Sequence, residues 1–458
     1  MRFPQWFSYT GRRELDASLR NILLAAVPGT VFFSIIQGSA YTAFVRALTR
    51  QDWVYGFLAA LPLISGVARF LSAYLIERLR VRRGVFLVSL YLQRLVWIPF
   101  ACIPYLVPGT DQDLRIAVAV LCLAAHGMAG AVGDVAFVSW LTDLVPAEIR
   151  GSYLGQRSRV AQLAAIAAPI GVGWYLDGHP GFTGLSTVLV AAALFGLADI
   201  ACWHPVIHPA VRASGENLSF GRMLGEPLRF PAYRRLLGFW TAALFSFGFM
   251  GPYLMVYNLE VLHLSNTQAS LQLQVIPGIM SFLLAGVLGR GIDEYGSKPL
   301  LKLCMTISAI LPLFWILSTP AAPWFQLVPN IIGGIVWLGL DMAQMSLMMK
   351  ILPQDNRTVY IAGYGLTAWL VGNATAAVLA GRLADLLRPW VEGGGMRFLG
   401  APLSVYQVLF LISMVLRFLV LIFAVPAIEE PGARPARELL SSLGSARGRK
   451  YRGNALRG

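Results

Sequence analysis

About twelve apolar segments, each near the ~20 residues that a helix needs to cross a bilayer's hydrocarbon, leave this chain few ways to fold. They cover roughly 22–48, 53–76, 84–107, 114–142, 160–177, 183–203, 236–258, 268–290, 299–318, 324–349, 360–383 and 402–427. Hydrophobic residues make up 57% of the 458 positions and charged residues 13%, whereas a soluble domain is nearer one quarter charged. Backbone groups in hydrocarbon find no water, so each span must bond to itself as a helix or close into a barrel. Strands of alternating polarity, the mark of a barrel, are missing from the sequence. The expected fold is an all-α polytopic membrane protein.

The chain also repeats itself. Asp134-x-Ala136-x-x-Ser139, followed by Pro146, Arg150 and Tyr153, returns at the same spacings as Asp341-x-Ala343-x-x-Ser346, Pro353, Arg357 and Tyr360. A second pair places Ala73-x-x-x-Glu77-Arg78-x-Arg80-x-Arg82-Arg83 opposite Gly289-x-x-x-Asp293-Glu294-x-Gly296-x-Lys298. A third sets Gly173-x-x-x-Asp177 against Gly381-x-x-x-Asp385. Common order in two halves indicates an internal duplication, and duplicated helical halves are the architecture of secondary transporters. The longest polar interruption, 204–235, divides the spans six and six. The expected organisation is a first bundle over 1–203, a linker over 204–235, a second bundle over 236–428 and a basic tail over 429–458.

The net charge of +14 is distributed between spans rather than over one face. Its richest runs, Arg78 to Arg83 and Arg447 to Arg452, fit the excess of positive charge that marks cytoplasmic loops. Both termini are therefore expected in the cytoplasm, and a nucleic-acid partner is not expected. The tail can also meet anionic lipid. Cys102, Cys122, Cys202 and Cys304 lie inside apolar spans without metal-ligand spacing, so they read as small hydrophobes. The amino terminus lacks the short apolar core and cleavage site of a signal peptide.

These motifs resemble the major facilitator superfamily over essentially the whole chain. The family's signature after the second helix is Gly-x-x-x-Asp-Arg-x-Gly-x-Arg-Arg. The second-half copy agrees at Gly289, Asp293, Gly296 and Lys298, while the first-half copy keeps Glu77, Arg78, Arg82 and Arg83 and departs at Ala73 and Arg80. Trp140 to Pro146 with Arg150-Gly151 is similar to the end of the fourth helix in bacterial members. The resemblance implies two six-helix bundles around a cavity that opens alternately to each side, in the bacterial inner membrane, with the motif loop latching neighbouring helices. Glu77 and Asp293 would accept hydrogen bonds at a helix amino end, where the dipole favours an anion; alternatively the Arg cluster only sets topology. Two antiporter signatures match in part: His126-Gly127 stands where Gln-Gly is usual, but Leu123 replaces the arginine, and Ala168-Pro169-Ile170-Gly171-Val172-Gly173 stands for Gly-Pro-x-x-Gly-Gly.

Ionisable groups inside spans are functional candidates because their insertion costs at least about 2.5–3.5 kcal/mol. Asp134, Asp341 and His126 are candidates for proton coupling; the competing reading is a hydrogen-bonded acid or histidine that orders the packing. Arg94 and Arg417 are the deepest bases, and Arg69 lies nearer a boundary. Each deep arginine either meets an anionic substrate or neutralises Asp134, Asp341 or Asp199. Gln37, Tyr253, Tyr257, Asn258, Gln272, Gln274 and Asn373 supply neutral polarity. The resemblance implies cavity-lining first, fourth, seventh and tenth helices, which favours Gln37, Tyr253 and Tyr257 and adds Gln344. Trp337 and Trp369 are expected in the core.

No phosphate-binding loop, His-Glu-x-x-His pair or Gly-x-Ser-x-Gly elbow occurs, so neither an enzyme nor a cofactor nor direct use of ATP is expected. The expected function is secondary active transport of a small or amphiphilic organic solute, the expected partners being that solute, protons and the bilayer, with the chain a monomer. Two alternatives stay open: a lipid or glycolipid flippase, and a non-transporting receptor or assembly factor on the same fold.

Overall fold

The computed structural model describes residues 12–69, 82–146, 148–208, 229–352, 360, 363–365, 367–398 and 401–430. Within them lie eleven helices long and apolar enough to cross a membrane and one shorter apolar helix. They are α1 (Arg13–Leu48), α2 (Asp52–Ile64), α3 (Arg82–Leu106), α4 (Gln112–Leu144), α5 (Arg150–Gly178), α6 (Phe182–Ala201), α7 (Pro231–Val261), α8 (Asn266–Tyr295), α9 (Ser297–Leu317), α10 (Pro323–Ile351), α11 (Gly363–Gly395) and α12 (Val405–Ala424). The only strands among the described residues are β1 (Arg397–Phe398) and β2 (Ala401–Pro402), which pair antiparallel between α11 and α12. The expected second span runs on past Ile64 as a 3₁₀ turn to Ala68 and then leaves the described residues.

With twelve helices alternating in direction, the starts of α1 and α7 and the ends of α6 and α12 share one side, here called the linker end; the other is the distal end. The buried core shows how the halves meet. At the distal end a large cluster joins both, with Phe44, Trp97 and Phe100 of the first half running into Tyr253, Tyr257 and Tyr406 of the second, and a small one continues it between α2 and α11 through Ala60, Ala374 and Ala377. Toward the linker end the core of the described residues divides in two. One part packs Phe86, Trp140, Tyr153 and Trp203; the other packs Tyr233, Trp240, Leu301 and Tyr360. Buried apolar surface is therefore continuous where the halves touch and interrupted where they part. The bundle closes distally and splays at the linker end.

The repeated sequence turns out to mark equivalent ties inside each half. Tyr153 Oη donates to Leu19 O at 2.8 Å, fixing α5 to α1; its counterpart Tyr360 is held at the same place in the second half but in the opposite sense, its backbone carbonyl accepting from Tyr233 Oη at 2.7 Å. Ser139 accepts from Arg82, which also pairs with Asp143, and Ser346 accepts from Ser297 at 2.7 Å. Arg150 donates to the Thr142 and Val145 carbonyls at the end of α4, where a cation satisfies groups the helix leaves unpaired. Gly296 holds φ +97° between α8 and α9, a backbone state that glycine adopts without penalty.

Candidate transport cavity and its distal closure

Both halves interrupt their first helix at the same level. Regular α-helix in α1 stops at Ile36 and resumes at Ser39; in α7 it stops at Gly248 and resumes at Tyr253. Between the two breaks lies a cavity of about 610 Å³, lined from both halves by Gln37, Tyr41, Tyr55, Trp97 and His126 and by Pro252, Gln274 and Trp369, among others. Gln274 and Trp369 sit on π-helical turns, Leu271–Val275 and Thr367–Ala374, a widening that recurs at functional sites. Tyr55 Oη donates to the Pro252 carbonyl at 3.0 Å, tying α2 to the α7 break.

Two equivalent clamps shut the distal end. Asp385, near the end of α11, accepts from the backbone nitrogens of Asp52 and Trp53, both at 2.9 Å. Asp177, at the end of α5, accepts from the backbone nitrogens of Asn266 at 2.7 Å and Thr267 at 3.1 Å. Each carboxylate thus caps the amino end of a helix in the opposite half, where unpaired N–H groups and the dipole favour an anion. The glycine four residues earlier makes the approach possible. A Cβ at Gly381 would stand 2.3 Å from Asp52 O, and one at Gly173 would stand 2.6 Å from Thr267 Cα. The Gly-x-x-x-Asp repeat is a pair of reciprocal helix caps.

A buried ion cluster sits beside the first clamp. Arg46 pairs with Glu260 at 2.7 Å and with Asp52 at 2.9 Å, and Arg388 pairs with Asp52 from the other half. Tyr406 donates to Asp52 at 2.9 Å. Asp52 is 0% exposed, and a desolvated carboxylate is tolerable only with partners of this number.

The linker-end motif is disengaged by comparison. Asp293 is exposed, and the amino end of α5 has no side-chain cap. Gly289 and Lys298 flank the α8–α9 turn, where Glu430 instead accepts from the Ser297 and Lys298 backbone nitrogens at 3.1 and 2.6 Å and pairs with Lys350 at 2.6 Å. Burial alone would raise the Glu430 carboxyl, but these hydrogen bonds hold it below the usual glutamate range. Arg83 donates to His204 O at 2.8 Å. Glu77 and Arg78 lie outside the described residues.

The remaining candidates separate by position. Gln37 and His126 line the cavity. Asp134 and Asp341 are exposed and lie outside its lining; Arg69 and Arg94 are the cations whose field reaches Asp134. Arg94 is 3% exposed and pairs with Asp199 at 3.1 Å, with Phe32 at 4.3 Å on its guanidinium face. Arg417 is buried among α7, α9 and α12, donating to Ser413 Oγ at 3.2 Å and Ser308 O at 2.8 Å above the Phe247 ring. Tyr253 donates to Ala377 O at 2.7 Å within the second half, and Tyr257 to Ser318 O. Asn373 packs beneath Gly248, and Gln344 is half-buried on α10. Trp369 and Trp337, expected in the core, are 40% and 42% exposed. The wide turn of α11 brings Trp369 to the cavity, and Trp337 stacks edge-on against Phe247 at 4.5 Å. Sequence alone did not single out Tyr41, Tyr55 or Trp97, which look like any packed aromatic. All four cysteines are free thiols.

The family model for the Major Facilitator Superfamily matches residues 23–372. The chain belongs to that superfamily. Its fold is similar to a mutant of the nucleoside transporter NupG, with a TM-score of 0.70 at 12% identity over 90% of this chain and 100% of that one. It is also similar to the inward-open xylose transporter XylE of E. coli, with a TM-score of 0.66 at 14% identity over 93% and 99% of the two chains. Among curated proteins, Protein PucC of Cereibacter sphaeroides is 27% identical over 475 residues, covering 95% of this chain and 97% of that one. As a superfamily member, the chain is a multi-pass membrane protein of the alternating-access transporter type.

Proposed function

We propose that the protein is a secondary active transporter that moves a small or amphiphilic organic solute across the inner membrane, with its termini in the cytoplasm, and that the structure is its inward-open state. The observation that carries this reading is the asymmetry of closure among the described residues: two reciprocal caps and a buried ion cluster seal the distal end, while the core divides and Asp293 is exposed at the linker end. Solute entering from the linker end reaches the cavity at the helix breaks; opening the distal end requires the caps to release.

Asp134 is the preferred coupling group. It faces the splayed side, outside the cavity, in the field of Arg69 and Arg94. Protonating it would remove a negative charge from the field around Arg69 and Arg94, linking proton binding to rearrangement of α3 against α4. Uptake into proteoliposomes with and without an imposed pH gradient tests this: acceleration by the gradient, abolished in Asp134→Asn while solute counterflow persists, is expected. Gradient-driven uptake that survives Asp134→Asn would remove Asp134 from the mechanism.

A lipid-like cargo is the second reading. A groove of about 460 Å³ between α1, α5 and α6 is lined by Val27, Val31, Ala168, Val172 and Phe195, an apolar surface suited to an acyl chain. Headgroup accessibility to dithionite in liposomes containing a labelled phospholipid distinguishes it; no protein-dependent loss of label would exclude a flippase.

A further inference from the structure

The transport reading above leaves the cargo's chemistry open, and the cavity narrows it. None of its described lining residues is Asp, Glu, Lys or Arg. The buried cations nearby are already neutralised, Arg94 by Asp199 and Arg46 by Asp52 and Glu260. A carboxylate, phosphate or ammonium entering here would lose water without gaining a counter-ion. The walls instead offer ring faces and directed N–H groups.

Two of those donors are prepared in advance. Gln274 Nε2 is buried without a hydrogen-bond partner, and it lies against Gly38, where a Cβ would come within 2.6 Å of it. The break in α1 thus makes room for an amide that no group among the described residues satisfies, and a buried amide left unpaired is costly unless a ligand completes it. His126 is oriented by Trp97, whose Nε1 lies 2.9 Å from Nδ1. An indole nitrogen only donates, so Nδ1 accepts and the neutral ring carries its proton on Nε2. The 3.2 Å approach of Nδ1 to Gln93 O is then a close contact, not a second hydrogen bond.

We propose that the cavity between the α1 and α7 breaks binds an uncharged, ring-bearing solute rich in hydroxyl or carbonyl oxygens, which stacks on Trp369 and accepts hydrogen bonds from Gln274 Nε2 and His126 Nε2. Charge coupling and cargo recognition then occupy separate places, since Asp134 stands outside the cavity.

The test uses the purified full-length chain in detergent and two matched pairs of probes: para-nitrophenyl glucoside against para-nitrophenyl glucuronide, and uridine against uridine monophosphate. Binding is read by equilibrium dialysis and by quenching of tryptophan emission. At least one neutral member is expected to bind saturably, with its charged congener about tenfold or more weaker. Gln274→Leu is expected to weaken the neutral member about tenfold, as loss of one buried hydrogen bond implies, with an unchanged melting temperature showing that the variant folds. Gln274→Glu keeps the shape but replaces the donor, so it is expected to behave likewise. A charged congener that binds as tightly as its neutral partner overturns the assignment of cargo class while leaving transport intact. Failure of both neutral probes to bind also overturns it; counterflow of any other solute would then show that the transport reading survives. Neutral binding indifferent to both Gln274 variants removes that residue from the site.

Discussion

The Asp385 carboxylate of α11 lies 2.9 Å from the backbone nitrogen of Asp52 at the start of α2, so a helix of the second half caps a helix of the first. The Asp177 carboxylate of α5 does the same for α8 in the opposite sense. The two contacts exchange one cap for another across the seam.

Removing these caps should loosen the distal closure. Loss of an N-cap typically costs about 0.5–2 kcal/mol, so Asp177→Ala and Asp385→Ala should each shift the balance toward distal opening, and the double variant further. Spin labels at positions 50 and 393, both exposed at the distal end, should report a longer distance component in the double variant. An unchanged distance distribution would show that the caps do not hold this state. Gly381→Ala should resemble Asp385→Ala, because its methyl would collide with Asp52 O.

Asp52 should be the most sensitive acid at the seam. Asp52 accepts from Arg46, Arg388 and Tyr406 together, so its removal breaks three contacts at once, with Arg46 keeping Glu260. Asp52→Ala should therefore lower the melting temperature more than Arg388→Ala, since Arg388 is part-exposed and keeps Glu392 as a partner. Equal losses would indicate that solvent reaches the cluster.

Asp199 and Asp134 should respond oppositely to neutralisation. Asp199→Asn strands the buried Arg94 guanidinium and should destabilise the fold by about 3–5 kcal/mol. Asp134, exposed and without a direct ion pair among the described residues, should give a stable Asp134→Asn protein. Comparable melting temperatures for the two variants would contradict this division between a structural and a mobile acid.

Glu430 should make the linker end acid-sensitive. Its carboxyl titrates below the usual value of 4.5 in the folded state, so its contribution is present above about that pH and fades as the pH falls through the lowered folded value. Glu430→Gln should then be less stable than the parent at neutral pH, by about 1.5–3 kcal/mol for hydrogen bonds to a charged group. The gap should narrow on acidification below the usual value. A gap constant from neutral pH to strongly acid pH would mean that the carboxylate charge contributes nothing.

The candidate site was legible in parts. The Gly-x-x-x-Asp pairs were visible as a repeat, yet not as caps, because the helix ends they meet lie 89 and 333 positions away in the chain. Arg94 was visible as a deep base with Asp134, Asp341 or Asp199 as possible partners; only the packing of α3 against α6 selected Asp199. Trp369 was misplaced into the core because a regular helical period does not reveal a π-turn.

The sequence by itself determined that this chain lies in a bilayer as duplicated helical halves, since apolar length and backbone hydrogen bonding admit no other arrangement. Its motif residues also pointed to the superfamily. Tertiary structure alone decided which end is shut, which arginine is neutralised and which polar groups meet in the cavity. Those outcomes depend on contacts between residues far apart in the chain, and no local pattern of hydropathy or spacing encodes the helix that a side chain will face.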